Sequence, residues 1–433
     1  MGTKIGHSEV KDIEKIMNAK SHAWARIMGI GKKWNHEASV KEAVSVTGLD
    51  PPPLYSLRKD HKPVVDGEDP KMRGVCGGNK GPISRISNIL SDIITPHNEE
   101  FQDDSQLEST EDLQAKLEGF NVEEVEGDLE IYSMDATALY PSLEIKRTAE
   151  YVMEIMTESK LEIKSVDYGE LGRYLAYITS EEEVVELGLE EVIAKRRKKG
   201  SRKPTITGPE LMKSFAGESE VWVIERRPNE LEKRLMLALA VSKDVEEVLT
   251  NHVFTFTGEV FKQIKGGAIG NEPTCVIAKT RTICLIRDFK RKVEVVVRNS
   301  RKIEEIEAEN GETKEIEMRI EFPVLKIYVA KMYVDDTTLI TGRIEKGWRY
   351  KEGRERMIWK TAWEEEEEID GVKGDKKTAL EFKKIVNEVE KDIQMTIDVP
   401  SNHLDGKIPV LDLKVWMEKS EEDKNKVKFI FYP

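Results

Sequence analysis

No stretch of this sequence approaches the ~18–20 consecutive apolar residues that would span a bilayer, and its first segment, MGTKIGHSEVKDIEK, lacks the apolar centre of a signal peptide. Membrane-spanning and secreted classes are set aside on that ground, and the chain reads as intracellular. Cysteine is scarce: Cys76, Cys275 and Cys284 are odd in number and scattered. Cys275 and Cys284 stand nine apart with no histidine nearby, so neither a disulfide framework nor a zinc site is suggested, and reduced thiols are expected. An excess of basic charge is also lacking. The formal net charge is -14, which argues against a protein that simply coats nucleic acid. Charge is uneven, however: KRRKKGSRK (195–203) holds seven basic residues in nine, whereas EEEEEID (364–370) is strongly acidic.

What the sequence does have is length and a globular composition. Its 433 residues allow two or three domains, and 39% hydrophobic with 35% charged residues describe a charge-rich folded chain. Val10, Ile13, Ile16 and Met17 recur at helical spacing behind Ser8, a suitable N-cap. Three prolines in GLDPPPLYSL (48–57) break that pattern and mark entry into a new unit. A helix is predicted over PISRISNILSDIITPHNEEF, then a strand over LEIYSMD, a turn at Pro141–Ser142 and a helix over EIKRTAEYVMEIM. Residues 157–227 are highly charged and poorly periodic, and read as an inserted or surface subregion. A helix follows near 229–241, then a strand pair turning at Thr257–Gly258, and a glycine-rich loop opening another helix. Two strands around Asn310–Gly311 and a pair around Asp335–Asp336 come next. A helix over TALEFKKIVNEVEKDI and the strands VLDLKVWM and KVKFIFYP close the chain. No internal repeat is visible. The order is α+β, with helices packed on an antiparallel sheet.

The segment MYVDDTTLI (332–340) sets two adjacent aspartates, Asp335 and Asp336, in an apolar, β-branched run. Neighbouring carboxylates repel, and burying an ionised one costs several kcal/mol, on the order given for buried ions. A divalent cation bound through oxygen removes both penalties. Strand alternation sends the two side chains to opposite faces, so one is expected as principal ligand and the other as support. A second carboxylate must come from elsewhere. Asp135 ends the apolar LEIYSM and is followed by the small residues Ala-Thr-Ala, with Tyr140 five positions on. Two carboxylates from separate strands holding two Mg²⁺ (or Mn²⁺) ions about 3.5–4 Å apart would activate a 3′-hydroxyl and stabilise a leaving pyrophosphate. Each residue also admits a simpler reading, Asp135 as a helix cap and the Asp-Asp pair as a solvated turn.

Taken together and in order, these segments resemble reverse transcriptases. YVDD (333–336) matches that family's Tyr-x-Asp-Asp signature, SMDATALYPSL (133–143) resembles its first acidic motif, and FKQIKGGAIG (261–270) its glycine-containing contact motif. The nearer resemblance is to the reverse transcriptases of Penelope-like retroelements, relatives of telomerase. PPPLYSLRKDHKP with MRGVCGGNKGPISRISNIL resembles their entry segment, NHVFTFTGEVFKQIKGGAIG their strand-turn-strand lead into the loop, and GKIPVLDLKVW (406–416) a later Leu-Asp strand. The resemblance runs, with gaps, from about Pro51 to Pro433. Departures are visible: Ile269 stands where Met or Gln is usual, Pro273 follows the loop early, and the arginine segment reads Arg-Gly-Val without its proline. The two acidic motifs are 200 residues apart, more than such folds typically need. FIFYP falls where the family continues into a thumb, and no nuclease of the GIY-YIG type is present, as in a truncated element.

The resemblance implies a right-hand polymerase fold with fingers and palm. Residues 1–50 would be an N-terminal helical region and 51–125 fingers-like. The palm would comprise 126–156 and 228–345 around the charged insertion 157–227, and 346–433 would hold the end of the palm and the start of a thumb. It implies RNA-directed DNA polymerase activity on an RNA template and DNA primer, with dNTPs as substrates. Asp135 and Asp335 would be the principal metal ligands, with Asp336 in support. Tyr140 would exclude a ribose 2′-hydroxyl. Arg73, with Lys59 or Lys62, would meet the triphosphate. Gln263, Gly267 and Gly270 would admit nucleotide and template, unless the last two are ordinary turn glycines. Two alternatives stay open. One is an inactive nucleic-acid-binding remnant that keeps the fold and uses the basic run for phosphate contact, unless that run is a solvated loop or a localisation signal. The other is a family B DNA polymerase fragment, whose Asp-x-x-Ser-Leu-Tyr-Pro-Ser motif DATALYPSL resembles. That second family requires an Asn-Ser-x-Tyr-Gly helix and an Asp-Thr-Asp motif, which this sequence does not contain.

Overall fold

The computed structural model describes residues 2–29, 50–58, 72–76, 81–102, 105–123, 125, 129–161, 166–197, 220–224, 226–270, 272–298, 301–307, 313–319, 327–334, 336–342, 347–352, 356–361, 374–389, 391–420 and 424–431. Helices and antiparallel sheets are both abundant, and the chain divides into two units. Met1–Phe101 with Tyr140–Arg281 form the first, and Gln102–Leu139 with Thr282–Pro433 the second.

The first unit is built on helices. His7–Ile27 buries Val10, Ile13, Met17, Trp24 and Ile27, the stripe that the sequence spacing predicts. Glu230–Thr250 is apolar on all sides from Met236 to Val241 and is therefore a core helix. Its start is fixed reciprocally: the Asn229 side chain accepts from the Glu232 amide, and the Glu232 carboxylate accepts from the Asn229 amide. Ser84–Phe101, Ile145–Glu158 and Tyr168–Ile178 pack around the same core. Within the span read as a charged insertion, Leu171, Leu175, Val184, Leu189, Val192 and Ile193 belong to that core, while Arg173, Glu182, Glu186, Glu190 and Glu191 between them are exposed. The basic run 195–203 lies mostly outside the described residues.

A buried polar knot ties three of these helices together. Asp244 is fully buried and accepts from Lys20 Nζ at 2.6 Å, Trp24 Nε1 at 2.5 Å and Tyr174 Oη at 2.6 Å. Short ribbons complete the unit. Gly2–Lys4, Glu259–Gln263 and Val253–Phe256 form one sheet, whose two-residue turn has Thr257 at φ 50° and Gly258 at φ 80°. Both are left-handed, as a tight hairpin turn requires. Leu54–Arg58 pairs with Met72–Cys76 in a second ribbon.

The second unit centres on a four-stranded antiparallel sheet in the order Ile327–Tyr333, Asp336–Gly342, Leu129–Ala136, Met395–Asp398. Alternation along each strand divides its side chains between two faces. Tyr132, Met134, Met332, Thr337, Leu339 and Met395 turn to one face, where Leu285, Phe289, Phe382 and Val386 from two helices cover them. Ile131, Val329 and Ile340 turn to the other, against the helix Thr110–Val122 and a three-stranded sheet carrying Ile408, Leu413, Val415 and Val427. The Asn310–Gly311 turn lies outside the described residues, but the strands on either side, Arg301–Glu307 and Thr313–Arg319, pair antiparallel.

Thr337 is a polar exception on the helix-covered face. Its Oγ1 is buried with no hydrogen-bond partner among the described residues, and it lines a small apolar cavity with Met134, Met332 and Met395. An unsatisfied buried hydroxyl costs about 1–3 kcal/mol. Thr337→Val is therefore expected to stabilise the protein by about 1 kcal/mol, read as a higher urea midpoint at unchanged slope.

Candidate functional site

The register of the four-stranded sheet determines what two of the sequence-predicted aspartates can do. Asp336 stands directly opposite Asp135 on adjacent antiparallel strands. Cross-strand partners share a face, with Cβ atoms about 4.5–5.5 Å apart, and like charges so placed repel. Both residues are half-buried, which weakens the screening of that repulsion by water. On its other side Asp135 faces Thr396, whose hydroxyl donates to the Asp135 main-chain oxygen at 3.1 Å.

The hairpin that delivers Asp336 is tight. Tyr333 pairs with Asp336, leaving a two-residue turn, and Val334 at its first position has φ 55°. A β-branched residue in the left-handed region is strained, by on the order of 1–2 kcal/mol. Asp335, the expected principal ligand, lies outside the described residues. The described member of the pair, Asp336, shares a face with Asp135.

A second polar row lies beside the carboxylates on the same face. Lys331 is opposite Thr338, Thr338 opposite Ser133, and Ser133 opposite Asp398. Beyond it the face turns apolar at Val329, Ile340 and Ile131. Asp398 accepts from Asn402 Nδ2 at 3.0 Å and pairs with His403 Nε2 at 2.8 Å. Composition and motif spacing gave no sign of this row, because its members converge only through strand pairing.

Among the described residues, no group of three or more His, Cys, Asp or Glu side chains is placed to hold a metal ion. Asp135 and Asp336 supply two carboxylates, and Asp335 immediately precedes Asp336 in the chain. Hard oxygen donors whose mutual repulsion a cation would relieve suit Mg²⁺ or Mn²⁺ in their chemistry.

The remaining predicted residues lie in the helical unit. The Gly267 amide donates to the Tyr140 carbonyl at 2.8 Å, and the Cys76 amide donates to the Ile269 carbonyl at 2.8 Å. A Cβ on Gly266, which has φ 73°, would stand 2.5 Å from the Pro141 carbonyl oxygen. One on Gly267 would stand 2.3 Å from Thr274 Cγ2, and one on Gly270 2.5 Å from the Cys76 oxygen. The chain's own close approach thus requires glycine at these positions. Tyr140 is half-buried, and its hydroxyl lies 4.0 Å from Cys275 Sγ. Arg73 is exposed on its ribbon opposite Leu57, while Lys59 and Lys62 lie outside the described residues. The Gln263 side-chain amide donates to the Lys265 carbonyl at 2.8 Å.

Sequence reasoning did not single out His252, which is buried next to the Gln263 strand; the Gln263 main-chain amide donates to its carbonyl at 2.8 Å. Burial lowers its pKa to about 4, against a hydrogen bond to the Gln263 side chain that raises it. The folded value lies below the unfolded 6.5, so the unfolded chain takes up the proton first as pH falls. This contribution to stability is complete above pH 6.5 and is lost between pH 6.5 and about 4. The loss amounts to about 3 kcal/mol. His97, also lowered chiefly by burial, acts in the same direction. His252→Gln is expected to flatten the slope of urea-unfolding free energy across this window.

No family model matches the chain, and no curated protein matches it. Solved structures that resemble it include a telomerase from Candida albicans in complex with a TWJ fragment of telomeric RNA, at a TM-score of 0.38 and 8% identity over 85% of this chain and 45% of that one. Another is an apo telomerase from Candida tropicalis truncated from its C-terminal domain, at 0.36 and 10% identity over 84% and 54%. The chain spans about half the length of each. Likeness of this degree carries no weight in assigning a function. Among the described residues, no helix is long and apolar enough to cross a membrane.

Proposed function

We propose that the chain is the core of an RNA-directed DNA polymerase of the Penelope-like type, which adds dNTPs to a primer 3′-hydroxyl on an RNA template. The observation that carries this reading is the face-to-face placement of Asp135 and Asp336, the latter delivered by a strained hairpin whose sequence is Tyr-Val-Asp-Asp. Two like charges set opposite each other destabilise a sheet, and a site that binds a cation gives that cost a purpose.

In this reading the four-stranded sheet is the palm, and the ribbon bearing Arg73 belongs to the fingers. Asp135, Asp336 and Asp335 would hold two Mg²⁺ or Mn²⁺ ions. When bound, such ions stabilise the charge developing on the attacking and leaving oxygens. Arg73, with Lys59 or Lys62, would hold the triphosphate, their fixed charge offsetting the negative charge that grows on the leaving pyrophosphate. The ring of Tyr140, anchored through its backbone to Gly267, would exclude a ribose 2′-hydroxyl. The backbone around Gly267 and Gly270, with Gln263, would border the nucleotide and template.

The test is extension of a DNA primer on an RNA template with dNTPs and Mg²⁺ or Mn²⁺. Wild type is expected to extend the primer, and Asp135→Asn and Asp336→Asn to fail. Equal extension by all three would refute the assignment. RNA binding without extension by wild type would favour a nucleic-acid-binding remnant.

A further inference from the structure

The hydrogen bonds beneath the glycine-rich loop trace back to one buried histidine. His252 is 4% exposed and stands across from Gln263, whose main-chain amide donates to its carbonyl at 2.8 Å. The imidazole also hydrogen-bonds the Gln263 side chain. Gln263 Nε2 donates to the Lys265 carbonyl at 2.8 Å, which leaves Oε1 as the acceptor for the ring. His252 Nδ1 is buried with no hydrogen-bond partner among the described residues, so the donor to Gln263 is Nε2. Leaving a buried ring nitrogen unpaired is costly, and an apolar residue would avoid that cost. The imidazole therefore stands there for the bond that Nε2 makes. From Lys265 the chain enters the loop. A Cβ on Gly266 would stand 2.5 Å from the Pro141 carbonyl oxygen, and the Gly267 amide donates to the Tyr140 carbonyl at 2.8 Å. Contacts thus run from His252 through Gln263 and Lys265 to the loop, and from the loop to Tyr140.

We infer that His252 is a positioning residue which, acting through Gln263, fixes the glycine-rich loop and with it the backbone of Tyr140. The inference rests on reading Tyr140 as the residue that excludes a ribose 2′-hydroxyl, and it names what holds that ring in place. Gly266 and Gly267 have no side chains with which to brace the loop, so the bracing comes from its flanks. Gln263 supplies it on one side. On the other stands Thr274, whose Cγ2 would lie 2.3 Å from a Cβ on Gly267. Selection between sugars turns on a single oxygen atom, so a backbone displaced by about 1 Å is enough to blunt it.

Two measurements on the full chain test this, each on wild type, His252→Leu and His252→Gln. Leucine fills the site without a donor, whereas glutamine restores a side-chain N–H. The first is amide hydrogen exchange without nucleic acid or metal. In His252→Leu the loop 264–270 is expected to exchange about tenfold faster relative to the core helix Glu230–Thr250, and His252→Gln is expected to restore the wild-type ratio. A general loss of stability would speed both segments and leave that ratio alone. A ratio unchanged in the leucine variant, or raised equally in the glutamine variant, would overturn the inference. The second is primer extension with dNTPs against rNTPs. His252→Leu is expected to lose about tenfold of its preference for dNTPs, and His252→Gln to keep it. Equal preference in all three proteins would overturn the link to Tyr140. Should wild type extend no primer, the polymerase reading fails, and hydrogen exchange alone decides whether His252 holds the loop.

Discussion

Replacing Asp244 by alanine is expected to lower stability by about 3–5 kcal/mol, the scale for leaving a buried charge without its partner. Asp244 is fully buried and accepts three hydrogen bonds from two other helices, one of them from an ammonium. Its removal strands Lys20 Nζ, Trp24 Nε1 and Tyr174 Oη in a core where water cannot replace the lost acceptor. The Tyr174 hydroxyl already reflects this environment, its pKa pushed well above the ordinary value by burial and by Asp244. Since whole domains are stable by only about 5–15 kcal/mol, the helical unit would retain little margin. Urea unfolding monitored at Trp24 should show the shift, with Asp244→Asn losing less because an amide oxygen still accepts. A loss below about 1 kcal/mol for the alanine variant would mean that the knot is not what joins these helices.

The other large effect is on chemistry. Asp135→Asn should reduce primer extension by about a thousandfold or more, as expected when several kcal/mol of metal-mediated charge stabilisation is lost. The same change should raise the stability of the metal-free protein, by up to about 1 kcal/mol, because it removes one of two charges facing each other across the strands. Opposite signs for activity and stability identify a residue kept for function against the interests of the fold. Lower stability together with lower activity would instead indicate a structural role. Rapid-quench assays and urea titrations on one preparation give both numbers.

Much of the local structure was legible because single segments encode it. The Val10–Ile13–Met17 spacing identifies a helix on its own, and Thr257–Gly258 between alternating residues identifies a hairpin. The mixed helix and antiparallel-sheet character followed from such segments. Segment 157–227 was harder, because Leu171, Leu175 and Val192 are buried among charged neighbours that mask their periodicity. Asp244 likewise gave no sign of burial, since its three partners come from positions up to 224 residues away.

The candidate site was legible in composition but not in register. Sequence order paired Asp135 with the Tyr-Val-Asp-Asp segment, but strand alternation alone could not say which aspartate faces Asp135. That depends on the turn: Val334 takes a left-handed conformation, Tyr333 pairs with Asp336, and Asp336 is brought opposite Asp135. Lys331 and Thr338 were invisible for the same reason. The resemblance makes Gly267 and Gly270 places for nucleotide and template to approach; within the fold, the contacts that demand glycine there come from Thr274 and Cys76.

The central claim is that Asp135 and Asp336 together hold a divalent cation, and the most direct measurement is thermal unfolding against Mn²⁺ concentration without nucleic acid. A ligand bound only by the folded state stabilises it by about 2.7 kcal/mol at a hundred times its dissociation constant. Wild type should therefore show a melting temperature that climbs with Mn²⁺ and saturates logarithmically, whereas Asp135→Asn and Asp336→Asn should show no rise. An equal rise in all three proteins, or none in wild type, would contradict the account.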